Sequence, residues 1–270
     1  MVRSTETSAT SESVPEEQTT GCYVYGIVPA EIEVDAEARG VGDPPTQVRS
    51  LQHGRIAALV SDISLDRPLG TPHDLLAHEE LLDAAAAEVP VLPLRFGAVI
   101  TDDDAVVEEF LRPNHDEFVA ALEELEGRAQ YVVKGRYIED AVFTEILEEN
   151  PEAARLRDEI RELPEDATRN ERIQLGEIIH EAIAAKREAD TAELIEQVDQ
   201  LSVLSVVRQP SHEQDAVHVA LLIETSRQAE LEQVMEELGR RWADRIALRL
   251  LGPLAAYDFV MTRQGDEGWD

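Results

Sequence analysis

The chain has 270 residues, with 24 Lys and Arg against 57 Asp and Glu, a formal charge of −33 and only two lysines, Lys134 and Lys186. Such a chain repels nucleic acid and anionic lipid, which excludes nucleic-acid binding and membrane-surface function. With 43% hydrophobic residues placed in periodic segments, the charge belongs to the surface of a folded protein.

A carboxylate coat almost free of lysine keeps a protein dispersed where salt screens ordinary repulsion, so the composition reads as a halophile's. The length suggests two domains, at roughly 150 residues each. Cys22, the single cysteine, has no internal disulfide partner and reads as a small packed hydrophobe. No apolar run approaches the roughly 20 residues that span a bilayer, and residues 1–20 lack a signal peptide's apolar centre. The expected location is the cytoplasm.

Residues 1–20 offer almost nothing to bury and predict a disordered acidic tail. "CYVYGIV", residues 22–28, is an alternating β-branched and aromatic run, a first strand ended by Pro29. "TQVRSL" and "RIAALVSDI" flank Gln52, His53 and Gly54, which predicts a hairpin. Thr71, Pro72 and Asp74 make a helix start, and the helix runs to about Glu88 with Leu75, His78, Leu82 and Ala85 on its apolar stripe. His78 has no second histidine at ligand spacing and reads as a boundary histidine hydrogen-bonded to the backbone. Thr101 with Asp104, and Asn114 with Glu117, stand at capping-box spacing ahead of two helices that Pro113 and Gly127 end.

"AQYVVKGRYI", from Ala129, is the next strand. A helical region over about 138–200 follows, broken at Pro151 and Pro164. Its last helix starts at Thr168, with Glu171 at capping-box spacing and Leu175, Ile179, Ala182 and Ile183 on one face. "LSVLSVVR" and "AVHVALLIE" are strands, Ser226 caps a helix through Leu238, and "RIALRLLG" alternates as a final strand. From Tyr131 onward the order β, helices, β, β, α, β is the split-βαβ, ferredoxin-like unit with an enlarged first crossover. The N-terminal unit has similar ingredients in a less regular order, which divides the chain into 21–128 and 129–270.

Sites for bond-making chemistry are scarce. No G-x-x-x-x-G-K-[ST] phosphate cradle and no G-x-S-x-G elbow occurs. Glu177 and His180 form one Glu-x-x-His pair where a di-iron bundle needs two, and read as a solvated helix face. Asp102, Asp103 and Asp104 resemble a magnesium site, yet acids in a helix's first turn already have a reason to be there. The arginines are scattered among acids, without a basic patch interleaved with aromatics. No metal and no cofactor is expected.

"VLPLRFGAVI", residues 91–100, puts Pro93, Arg95 and Gly97 inside an apolar run. Pro93 lacks an N–H, so the strand is an edge or is bent there, and Gly97 allows a bulge. Arg95 should point away from Leu94 and Phe96, into solvent or onto a carboxylate. A bulged edge bearing an arginine suits recognition by another chain; protection of the edge against aggregation uses the same residue types.

Taken together, "YVYGIV" (23–28), "VLPLRFGAVI", "GRAQYVVKGRY" (127–137) and "LLGPLAAYDFV" (250–260) resemble the GvpF/GvpL family of gas vesicle proteins, over nearly everything after residue 20. The acidic composition and polar N-terminal extension are similar to a haloarchaeal member, of the GvpL type rather than the shorter GvpF. The resemblance implies an α+β fold of two ferredoxin-like α/β sandwich domains with helical insertions. It also implies a non-enzymatic accessory role in gas vesicle biogenesis, alongside the hydrophobic shell protein GvpA and other accessory proteins. The family's P-L-R-F-G falls on Pro93, Leu94, Arg95, Phe96 and Gly97, and its G-P-x-x-x-Y-x-F on Gly252, Pro253, Tyr257 and Phe259; these are the candidate partner-binding residues. Many relatives carry proline where this chain has Ala256. No catalytic site comes with the resemblance.

The alternative is an enzyme or ligand sensor, since tandem ferredoxin-like domains can enclose a small molecule. That reading requires His78, His218 and Tyr257 to converge on one pocket, whereas alternation places His218 opposite Val217 and Val219.

Overall fold

The computed structural model describes residues 20–66, 68–164 and 167–264, without the side chains of Glu162 and residues 261–264. Apart from Thr20, the expected acidic tail lies outside the described residues.

Strand β1 (Thr20–Pro29) is buried on both faces because helices cover its sheet on each side. It pairs antiparallel with β5 (Ile56–Ser64), which forms the expected hairpin with β4 (Arg49–His53). On its other side it pairs with two short pieces, β6 (Leu92–Pro93) and β7 (Val99–Ile100). A bulge between Val24 and Gly26 changes the strand's parity. Tyr23, Tyr25 and Val28 consequently face helix α1 (Pro72–Ala86), while Cys22, Val24 and Ile27 face α3 (His115–Leu125). Between β1 and β4 the crossover is no helix but a loop carrying the ribbon of β2 (Arg39–Gly42) and β3 (Pro45–Gln47).

The second sheet has the order β11-β8-β10-β9, from β8 (Arg128–Tyr137), β9 (Ser202–Val207), β10 (Asp215–Glu224) and β11 (Ile246–Leu254), every neighbour antiparallel. Counting strands by chain order within each sheet, both follow the same 4-1-3-2 arrangement, with β6 and β7 sharing the fourth place in the first. Helices α4 (Glu139–Glu149), α5 (Pro151–Glu162) and α6 (Arg169–Val198) form the enlarged crossover, and α7 (Gln228–Arg241) returns to β11. Apolar residues of α4, α6 and α7 cover the sheet face that carries Tyr131, Val133, Val219 and Leu221.

Several local signals resolve differently from the sequence reading. The α1 stripe is buried at His78 and Leu82 and packs at Ala85 as expected, but Leu75 is 42% exposed and Asp74 is buried in its place. Asp74 turns inward to complete the capping box with Thr71. Thr101 does not cap; the Asp102 carboxylate accepts from the Ala105 N–H at 2.8 Å and opens α2 (Asp103–Ala105), which widens into a π-helical turn over Val106–Leu111. The Asn114 side chain donates backwards to Phe110 O instead of capping α3. Thr168 and Ser226 cap nothing, and a 3₁₀ turn at Thr225–Arg227 leads into α7.

The second unit is tied by one ionic network. Arg245 forks onto Asp190 at 2.8 and 3.0 Å and reaches Glu145 at 2.7 Å, Tyr137 donates to Asp190 at 2.6 Å, and Lys186 bridges Glu145 and Glu149. It links α4, α6, the end of β8 and the entry to β11. Removing one member of such a set strands a buried charge. Arg245→Met is therefore expected to lower the unfolding free energy by about 3 kcal/mol, read from urea-induced unfolding.

Candidate functional site

The two segments singled out from the sequence, 91–100 and 250–260, meet where the sheets adjoin. Pro93 sits opposite Gly26 at the margin of the first sheet, where its missing N–H falls on the outward side. Leu94 N still donates inward to Tyr25 O, and Val24 N to Ala98 O, both at 2.9 Å. Residues 94–98 bulge out between those two bonds.

A side-chain relay holds the bulge in place. Gly97, at φ +93°, donates its N–H to the Tyr23 hydroxyl at 3.0 Å. That hydroxyl lies 3.0 Å from His78 Nδ1, and His78 Nε2 lies 3.2 Å from Leu94 O. A carbonyl only accepts, so Nε2 carries the proton and Nδ1 accepts from Tyr23. Phe96 packs edge-on against His78, ring centroids 5.6 Å apart, and Tyr257 approaches from the other segment at 6.5 Å. His78 is thus bonded to the backbone as expected, but it is fully buried and its bond to Tyr23 was invisible in the sequence.

The second segment arrives through β11. Gly252, at φ +141°, lies so close to Tyr131 and Gln130 O that a Cβ there would come within 2.6 and 2.9 Å of them. Pro253 follows it in the strand. Ala255 N then donates to Asp83 Oδ1 on α1 at 2.9 Å, and burial raises the Asp83 pKa despite that bond. Helix α8 (Tyr257–Gln264) lies beside β6, with Tyr257 packed on the α1 side of the first sheet and Phe259 and Val260 on the α3 side. The Tyr257 hydroxyl is buried and makes no hydrogen bond among the described residues.

Leu92, Pro93, Leu94, Phe118, Leu222 and Phe259 line an apolar groove of about 210 Å³ that draws on both sheets and on α8. Glu117, Glu124 and Arg128 stand among its lining residues, and Arg95 is exposed nearby without an ion pair among the described residues. Of the nine candidate residues, Pro93, Leu94 and Phe259 line the groove, Phe96 and Tyr257 pack with His78 on the α1 side of the first sheet, Arg95 and Gly97 are exposed on the bulge, and Gly252 and Pro253 lie in β11, with Gly252 against Tyr131.

Such a groove can hold apolar side chains. His78, His218 and Tyr257 do not share a pocket: His218 lies on the second sheet, its Nε2 accepting from Arg208 at 3.3 Å. Glu177 and His180 are exposed on α6, Asp103 pairs with Arg49 at 2.6 Å, and burial pushes the Cys22 thiol up to about 12. Among the described residues no cluster of metal ligands occurs, and no helix is long and apolar enough to cross a membrane.

Tyr23→Phe removes both a donor and an acceptor from the relay and is expected to cost about 1–2 kcal/mol. Tyr257→Phe removes an unpaired buried hydroxyl and is expected to cost nothing or to stabilise; urea midpoints of the two variants separate these outcomes. Burial lowers the His78 pKa, so the unfolded chain takes up a proton first as pH falls below about 6.5. The stability His78 confers is therefore complete above that pH and declines below it. The melting-temperature difference between wild type and His78→Gln should shrink from about pH 8 to about pH 5.5.

Residues 21–261 match the family described as gas vesicle synthesis protein GvpL/GvpF. Gas vesicle protein F of Streptomyces sp. (strain CB03234) is 34% identical over 240 residues, covering 88% of this chain and 98% of that protein. Gas vesicle protein L of the same strain is 32% identical over 125 residues, covering 42% of this chain and 46% of that protein. The crystal structure of GvpF from Anabaena sp. PCC7120 superposes with a TM-score of 0.71 at 23% identity, covering 89% of this chain and 98% of that one. The full-length likeness is thus to proteins named F, and the shared fold extends across both sheets. With a family match over almost all the described residues and a relative above 30% identity along its length, this chain belongs to the GvpL/GvpF family of gas vesicle synthesis proteins.

Proposed function

We propose that this protein is a non-catalytic assembly factor of gas vesicles, acting in the cytoplasm and on the growing vesicle, and that it holds the hydrophobic shell protein GvpA or another accessory Gvp protein. The observation that carries the reading is the apolar groove at the junction of the two family segments. Leu94 and Phe259 supply its contact surface, and exposed Arg95 and Gly97 flank it. Pro93 lines it with Leu94 and Phe259, and Phe96, Gly252, Pro253 and Tyr257 hold the two segments that carry it. On this reading units 21–128 and 129–270 act together, because neither builds the groove alone.

A shell subunit's apolar surface is costly in water, and a soluble partner lowers that cost by covering it. The acidic coat keeps such a complex dispersed. Ala120 lines the groove and is exposed, so Ala120→Glu places a charge there without touching the core. Co-purification at high salt is expected to retain GvpA or an accessory Gvp protein on the wild type, with several-fold less on Ala120→Glu or Arg95→Glu. If the wild-type protein retains none of them, the reading fails.

A further inference from the structure

The second sheet packs α4, α6 and α7 against one face. On the other, Ala256, Phe259 and Val260 pack with Leu222, and the Asp258 N–H is bonded to Gln130 Oε1 at 3.0 Å. Farther along that face the register places four basic side chains in a row, one from each strand position. Arg249 of β11 stands opposite Lys134 of β8, and Lys134 opposite His218 of β10. Arg208, just past β9, completes the row by donating its N–H to His218 O at 2.8 Å. Arg136, two residues beyond Lys134, extends it along β8.

Two carboxylates serve this row. Asp258 of α8 engages Arg208 with both oxygens. Asp215 lies 3.5 Å from Arg136 and spends its other oxygen on Ser211 and His212. Lys134 and Arg249 are exposed and make no ion pair among the described residues. Burial, then Lys134 and Arg208, lower the His218 pKa, as expected of a locally positive surface. In a chain of charge −33 with two lysines, one lysine thus stands beside an arginine with neither paired to a carboxylate among the described residues, whereas Lys186 bridges Glu145 and Glu149.

We propose that the strip formed by Arg249, Lys134 and His218 docks an acidic helical segment of another protein, laid on the sheet alongside α8. The charge complementarity is direct, and the chain contains its own precedent: the first turn of α8 places the Asp258 carboxylate on Arg208 at the same row. Neighbouring strands stand about 4.8 Å apart and a helix advances about 5.4 Å per turn, so carboxylates three or four residues apart step across the strands onto Arg249 and Lys134, with the neutral His218 ring beside them. Leu251, 41% exposed and two residues past Arg249 on the same face, offers apolar contact at the strip's margin. Nucleic acid suits it poorly, because the whole-chain field repels a long polyanion and no aromatic ring lies in the row for bases to stack on. The inference goes beyond the groove and does not rest on what the groove holds.

The test titrates the full chain into a fluorescent helical peptide of about 15 residues, with glutamates three and four residues apart on one face flanked by leucines. Fluorescence anisotropy is read in about 1 M sodium chloride, where a Debye length of about 3 Å removes the long-range repulsion. The wild type is expected to bind this peptide at least roughly tenfold more tightly than the same peptide with Glu replaced by Gln. The double variant Lys134→Glu, Arg249→Glu, both exposed sites, is expected to lose a similar factor, while Arg112→Glu on the first unit changes nothing. Absence of wild-type binding, equal affinity for the two peptides, or undiminished binding by the double variant would overturn the proposal. So would single-stranded DNA that competes as well as the acidic peptide, which would make the row a general anion surface.

Discussion

Residues 255–260 fill the space between the two sheets, and their burial decides what each sheet still presents to solvent. Ala255 and Ala256 are small enough to be enclosed almost completely, with the first held to Asp83 of α1. Tyr257, Asp258 and Phe259 then diverge to the α1 side of the first sheet, the open face of the second and the groove. A segment with three differently directed anchors fixes the relative placement of the sheets more firmly than apolar area alone, because polar bonds are directional where apolar burial is not.

The three residues that disturb the 91–100 strand have one shared cause. The strand must leave β1 after Pro93 and rejoin it at Val99, and the chain between must turn outward without stranding backbone groups. Pro93 ends the pairing where no N–H is required, Gly97 supplies the left-handed turn, and Arg95 keeps the bulge soluble. Tyr23 and His78 accept and donate the bonds that the interrupted ladder leaves over. The same residues thus end the pairing, turn the chain and keep the interrupted edge solvated.

Charge is arranged at two scales. The network around Arg245 and Lys186 uses cations to draw carboxylates into contact with the core of the second unit. The row containing Lys134 and Arg249 does the reverse and leaves cations facing water. In a chain of charge −33, such a row is a local departure from the prevailing sign of the surface.

Most elements were legible in the sequence because they rest on local terms. Alternation marked the strands, proline and glycine marked their ends, and the succession from Tyr131 onward specified the second sheet's fold, which its strand order then displays. Capping was read less well, since Thr101, Asn114, Thr168 and Ser226 each lost their capping role to other local geometry or to a stronger neighbouring acceptor. The bulge at Tyr25 is not legible in the sequence because period-two alternation does not record a one-residue parity change in a strand buried on both faces.

What the sequence by itself determined is the identity of the segments: which stretches become strands and helices, which residues belong to the GvpL/GvpF motifs, and that the surface is acidic. It took the folded chain to pack Phe96 and Tyr257 around His78 on one side of the first sheet, to leave an apolar groove at Leu94 and Phe259 on the other, and to align Arg249 and Arg208 with Lys134 across the second sheet. The physical reason is that local periodicity is set by residues a few positions apart, whereas cross-strand register brings together side chains distant along the chain, and only its closure determines which charges are neighbours.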